Sequence, residues 1–164
     1  MPVSFVQINM KKSFAAAVEL NASLTSLKQY IALLTEPYVH DGDLCSLPPM
    51  CDKISEGKNL RAAIICNREV KITKLGGLSH RDCAVGLASF TNQKIIIASI
   101  YMDIKLPMNP PWLGRLFKYS SDKNLPILIG MDSNAHSSLY GLESNQRGEE
   151  LEEVLIMNLS LIHI

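Results

Sequence analysis

Leu128-Ile129-Gly130-Met131-Asp132-Ser133-Asn134-Ala135-His136 is the stretch around which the rest of the chain is organised. The apolar run from Ile127 to Ile129 predicts a short buried strand. From Gly130 onward, polar groups recur at every second position: Asp132, Asn134, His136. If the strand persists past Gly130, that spacing puts a carboxylate, an amide and an imidazole on one face. If it breaks there, the three crowd the mouth of the strand instead. Polar groups at a buried strand end are costly unless something binds them, and a hydrated divalent cation with a phosphate would do so.

The chain around this stretch has 164 residues, about the size of one domain. Its hydrophobic content of 47% supports a real core and is too high for a disordered chain. Lys+Arg and Asp+Glu number 16 each. Zero formal charge argues against a bulk electrostatic nucleic-acid binder, but an enzyme can gather its basic residues on one face. No segment approaches the ~20 apolar residues of a membrane span, and the N-terminus lacks the pattern of a secretion signal. Cys45, Cys51, Cys66 and Cys83 form no Cys-x-x-Cys pair, so reduced, mostly buried thiols are expected rather than a zinc site.

Upstream, Val3 to Ile8 predicts a first strand ending at Asn9. A helix of roughly four turns follows, capped by Ser13 and carrying Leu20, Leu24 and Leu27 at helical spacing. Tyr30 to Leu34 is a second strand, stopped by Thr35-Glu36-Pro37. Strand, helix, strand is an α/β unit with a parallel pair, whose C-terminal strand ends are where ligand crevices form. Asn9 and Glu36 sit at such ends. Residues 39–57 read as a surface loop. Four strands are then expected at residues 61–66, 70–73, 83–90 and 95–101, with hairpins at Gly76-Gly77 and Thr91-Asn92-Gln93. Lys58, Arg61, Arg68, Lys71, Lys74 and Arg81 make this third basic, as a solvated edge or a phosphate-contacting surface. A helix over residues 112–119, a strand over 125–130, a helix from Asn145 and a last strand over 159–164 complete the reading.

Asn9, Glu36, Tyr101, Asp132, Asn134 and His136 each close or follow an apolar strand. Glu36 and Asp132 supply the hard anionic oxygens that Mg²⁺ or Mn²⁺ requires. Asn134 is suited to a phosphate oxygen or a water, and Tyr101 to donating to a phosphate. Each also has a purely structural reading: Glu36 as a turn residue, Asp132 as a strand-end cap, Tyr101 as an amphipathic core residue, His136 as a satisfied structural histidine.

The stretches Gln7-Ile8-Asn9, Leu34-Thr35-Glu36-Pro37-Tyr38, Arg81-Asp82, Ser99-Ile100-Tyr101-Met102, Gly130 to His136, Leu139-Tyr140-Gly141 and Asn145-Gln146-Arg147-Gly148 occur in an order that resembles the endonuclease/exonuclease/phosphatase superfamily. Specifically, they resemble the apurinic-like endonuclease domain of non-LTR retrotransposons. The resemblance implies a two-sheet α/β sandwich of the DNase I-like kind, a single domain over residues 1–164. It implies a Mg²⁺- or Mn²⁺-dependent endonuclease that nicks target DNA and exposes a 3′-hydroxyl for reverse transcription. By that likeness Glu36 would be a metal ligand assisted by Asn9, and Tyr101 would contact the scissile phosphate. Asp132 would activate or position the attacking water, and Asn134 would hold a phosphate oxygen. His136 belongs to the motif without an assigned proton transfer, and Arg81 and Arg147 would bind substrate. A DNA substrate implies the nucleus and no membrane.

Family members continue into further strands carrying an Asp and a Ser-Asp-His triplet, whereas this sequence stops at Leu161-Ile162-His163-Ile164 before either. The expectation is therefore a domain incomplete at its C-terminus, lacking the last strands, with turnover weak or absent. A non-catalytic remnant of the same ancestry and a phosphoesterase acting on a small-molecule or lipid phosphate are the competing readings.

Overall fold

Residues 2–29 build the strand and helix that the sequence predicts, seen here in a computed structural model describing residues 2–138, 141 and 143–158. Strand β1 (Ser4–Asn9) leads into helix α1 (Phe14–Thr25), and the chain returns as β2 (Tyr30–Thr35), parallel to β1 with Asn9 beside Thr35. Ser13 starts the helix by accepting a hydrogen bond from the Ala16 N–H, 3.3 Å. The helix is shorter than its leucine spacing suggests: Leu27 falls beyond Thr25 and only packs, half-buried, on the core.

The chain folds as two compact units: Met1–Tyr101 with Leu125–Asp132, and Met102–Asn124 with Ser133–Ile164. The first holds both four-stranded sheets. One runs β1-β2-β6-β5, with β5 at Cys51–Ile54 and β6 at Ala62–Asn67. The other runs β10-β9-β8-β7, with β7 at Lys71–Lys74, β8 at Cys83–Ser89, β9 at Lys94–Tyr101 and β10 at Ile127–Asp132. Every residue of β2 is buried because it is covered on both faces. Tyr30, Ala32 and Leu34 share a cluster with Ala17, Leu20 and Leu24 of α1, while Ile31 and Leu33 share one with Ala84, Ala88 and Ile97 of the second sheet. Alternate side chains of one strand thus build two cores.

The expected hairpins form at both predicted turns, β7–β8 through a 3-10 turn at Gly76–Leu78 and β8–β9 across Thr91-Asn92-Gln93. Residues 39–57 are not simply a loop. They carry the two-residue strands β3 (Val39–His40) and β4 (Asp43–Leu44), and then β5, which pairs antiparallel with β6. Strand β5 buries only Ile54 and half-buries Cys51, so its alternation is too thin to mark it as a strand. In the second unit, α2 (Pro111–Lys123) runs past the predicted end to Asn124, whose left-handed backbone caps it, and α3 spans Gln146–Asn158. The expected strand over 159–164 lies outside the described residues.

All four cysteines are free thiols, with Cys66 and Cys83 buried. Burial pushes both thiols up to about 12, so they stay protonated at pH 8. The folded protein is expected to leave Cys66 and Cys83 unmodified by a thiol-specific disulfide reagent at that pH. Peptide mapping that finds either one labelled as fast as in denatured protein would contradict this packing.

Candidate active site

Strand β10 reaches the first sheet because Gly130 has no side chain. A Cβ there would sit 2.6 Å from Leu33 Cδ1 and 3.2 Å from Gln7 Oε1. Gln7 in turn donates to the Met131 carbonyl, 3.1 Å, and the buried Ser99 hydroxyl donates to the Leu34 carbonyl, 2.8 Å. These contacts fix the C-terminal ends of β1, β2, β9 and β10 relative to one another. The strand persists past Gly130 only as far as Asp132, which pairs with Tyr101 across the parallel ladder.

At these ends the structure brings Asn9, Glu36 and Asp132 together. The Asn9 Nδ2 group donates to Glu36 Oε2, 3.3 Å, and to Asp132 Oδ2. Asn9 Oδ1 accepts from the Lys11 N–H, 2.8 Å, which fixes the orientation of the amide. Two carboxylates therefore converge on one NH₂ group, an arrangement of like charges that a cation would stabilise. Two carboxylate donors with water completing the shell suit Mg²⁺ or Mn²⁺. Among the described residues no group of three or more His, Cys, Asp or Glu gathers as a fuller metal cage. Asn9 anchors the pair through its nitrogen while its oxygen rests on the Lys11 N–H.

Glu36 holds this position with a left-handed backbone, φ +45. Its N–H donates to the Arg61 carbonyl and its carbonyl accepts from the Lys12 N–H, both 2.8 Å. A non-glycine residue in this region costs on the order of 1 kcal/mol or more, and such strain gathers at functional sites.

Arg61, read from the sequence only as part of a basic edge or phosphate-contacting surface, turns inward instead. Its guanidinium lies 4.5 Å from the centroid of the Tyr101 ring and pairs with Asp82 through Nε–Oδ1, 2.6 Å, and Nη2–Oδ2, 2.7 Å. The same residue thus braces Tyr101 with its side chain and Glu36 with its carbonyl. Arg81 also contacts Asp82, at 3.1 and 3.3 Å, with its side chain half-exposed. Burial works to raise the Asp82 carboxyl, but hydrogen bonds from Arg61 and Arg81 outweigh it and hold the group below its ordinary value of 3.8. Lys74 is taken up by Glu56, 2.6 Å. The run of basic residues between Lys58 and Arg81 is therefore partly internal pairing.

Asn134, His136 and Arg147 belong to the second unit. Asn134 is left-handed, φ +48, and its Nδ2 donates to the Met102 carbonyl, 3.0 Å. The main chain of His136 is held by Asn145: His136 N–H donates to Asn145 Oδ1, 3.2 Å, and Asn145 N–H donates to the His136 carbonyl, 3.0 Å. Arg147 donates to the carbonyls of Asn134, Ile104, Leu106, Asp103 and Ser133 at 2.8–3.4 Å.

No protein-family model matches the chain. A 115 kDa protein in the type-1 retrotransposable element R1DM of Drosophila melanogaster is 24% identical over 166 residues, 93% of this chain and 16% of the relative. The chain thus spans about one sixth of that curated relative's length. Among solved structures, the endonuclease domain of TRAS1, a telomere-specific non-LTR retrotransposon, superposes with a TM-score of 0.79 at 22% identity, over 95% of this chain and 70% of that one. The fold is that of a retrotransposon endonuclease domain. A humanized D. rerio TDP2 matches the same DNase I-like sandwich more loosely, with a TM-score of 0.57 at 11% identity over 87% of this chain and 67% of that one. In this fold the ends of β1, β2, β9 and β10 carry Asn9, Glu36, Tyr101 and Asp132. No helix among the described residues is long and apolar enough to cross a membrane.

Proposed function

We propose that this chain is a Mg²⁺-dependent endonuclease domain of a retroelement protein, acting on DNA in the nucleus. The observation that carries the proposal is the convergence of the Glu36 and Asp132 carboxylates on Asn9, at strand ends that also present Tyr101. Mg²⁺, held by Glu36 with Asn9 as anchor, would supply charge stabilisation of the phosphate and leaving oxygen. Asp132 orients a water and takes its proton as the water oxygen attacks phosphorus. The P–O3′ bond breaks, leaving a 5′-phosphate and, after protonation from solvent, a 3′-hydroxyl. Tyr101, braced by Arg61, donates to a non-bridging phosphate oxygen. Asn134, two residues beyond Asp132, holds another. Arg81 offers a half-exposed guanidinium for a neighbouring phosphate, while His136 transfers no proton.

The substrate class is tested by giving purified protein and Mg²⁺ either supercoiled plasmid or an inositol phosphate. Relaxed circles without phosphate release from the inositol ester support the DNA reading. Phosphate release without nicking would replace it with a small-molecule phosphoesterase, and inactivity on both would indicate a non-catalytic relative.

A further inference from the structure

We infer that Arg147 is a positioning residue that locks the segment carrying Asn134, and that the Asn145-Gln146-Arg147-Gly148 run is built as a clamp on residues 133–136. The role given to Asn134 rests on the proposed function; the clamp does not. Contacts made wholly within the second unit carry the inference. Asn145 precedes α3 and caps it, its Oδ1 accepting from the Gly148 N–H, 2.9 Å, while the same oxygen takes the His136 N–H at 3.2 Å. A Cβ on Gly148 would overlap the His136 carbonyl oxygen, so only glycine lets the helix start lie against that carbonyl.

Arg147 lies between these two residues and spends its fork on main-chain oxygens. Nε and Nη2 donate to Asn134 and Ser133, and Nη1 and Nη2 donate to Asp103, Ile104 and Leu106. One guanidinium thus ties the segment after β10 to the segment after β9. The Asn134 side chain makes a further tie, to the Met102 carbonyl. Asn134 stands in a left-handed conformation, which the surroundings must hold in place. A side chain committed to five carbonyls is suited to fixing loops, and a planar fork is what such a contact set requires.

The distinction from a substrate contact is measurable with Arg147→Lys and Arg147→Ala. A phosphate contact depends on charge, which lysine keeps. A five-carbonyl staple depends on the fork, which lysine lacks. Hydrogen exchange of the amides at 102–106 and 133–136 is expected to accelerate at least tenfold in both variants, whether or not the protein cleaves DNA. Unchanged exchange in both would overturn the clamp. In duplex binding, the slope of log Kd against log salt is expected to stay at the wild-type value in Arg147→Ala. A slope smaller by about 1 would instead mark a lost phosphate contact. Plasmid nicking should fall by about 10²-fold in both variants, as a small misplacement of a substrate-holding group does. Full nicking by Arg147→Lys would contradict the positioning role. Absence of nicking by the wild type would count against the proposed function alone, with exchange still deciding the clamp.

Discussion

Asp132→Ala is expected to reduce plasmid nicking by about 10³-fold while leaving the melting temperature unchanged or slightly raised. Loss of a group that orients and deprotonates the attacking water is commonly worth 10²–10⁴-fold. A loss of that size corresponds to about 4 kcal/mol of transition-state stabilisation. Stability should not follow activity, because Asp132 shares the Asn9 amide with Glu36 and its removal relieves a like-charge approach. Thermal melting and single-turnover nicking on one preparation check both halves. Nicking within threefold of wild type, or lost activity accompanied by a large fall in melting temperature, would speak against a chemical role.

Asp82→Ala is expected to destabilise the fold by about 3–5 kcal/mol, the usual effect of leaving one member of a buried ion pair without its partner. Side-chain exposure is 9% for Asp82 and 16% for Arg61, so water cannot compensate fully. With a urea dependence of about 2 kcal/mol per molar, the unfolding midpoint should fall by about 2 M. Because Asp82 is held below its ordinary value, its contribution is complete above that value. It disappears as pH falls through the lower folded-state value. The midpoint difference between wild type and Asp82→Ala should therefore be constant at neutral pH and shrink only in strong acid. A difference below 1 kcal/mol at pH 7 would show that the Arg61–Asp82 pair does not brace this end of the sheets.

How far the sequence carries depends on whether a feature is local. β1, α1 and β2 are legible because each has a clean period and a marked end: Asn9, the Ser13 cap and Pro37. The candidate residues Asn9, Glu36, Tyr101 and Asp132 stand out because each interrupts an apolar run, and a parallel fold places such interruptions at one end. Periodicity does not say whether the strand continues past Gly130. That depends on Leu33 and Gln7, far away in the chain, which need the missing Cβ of Gly130. The Arg61–Asp82 pair spans 21 residues and has no spacing to betray it. Strand β5 hides because three of its four side chains are not buried, leaving Ile54 alone to carry the pattern. The last third of α2 reads as loop because Ser120, Ser121 and Asp122 are polar, although the helix continues to Lys123.

Arg147 shows the opposite case. Its place in a motif is visible in sequence, yet a charged residue beside a nuclease-like signature reads most simply as a substrate contact. Only the positions of five carbonyls reassign its fork to the main chain. The motif is legible; its mechanics are three-dimensional.

The central claim, that Glu36 and Asp132 gathered on Asn9 form a cation-dependent phosphodiester-cleaving centre, is tested most directly by the Mg²⁺ dependence of plasmid nicking in wild type and Glu36→Gln. Wild type is predicted to convert supercoiled plasmid to relaxed circles with Mg²⁺ and not with EDTA, and Glu36→Gln to need at least tenfold more Mg²⁺ for half its maximal rate. Nicking that persists in EDTA, or an identical Mg²⁺ dependence in the two proteins, would contradict it.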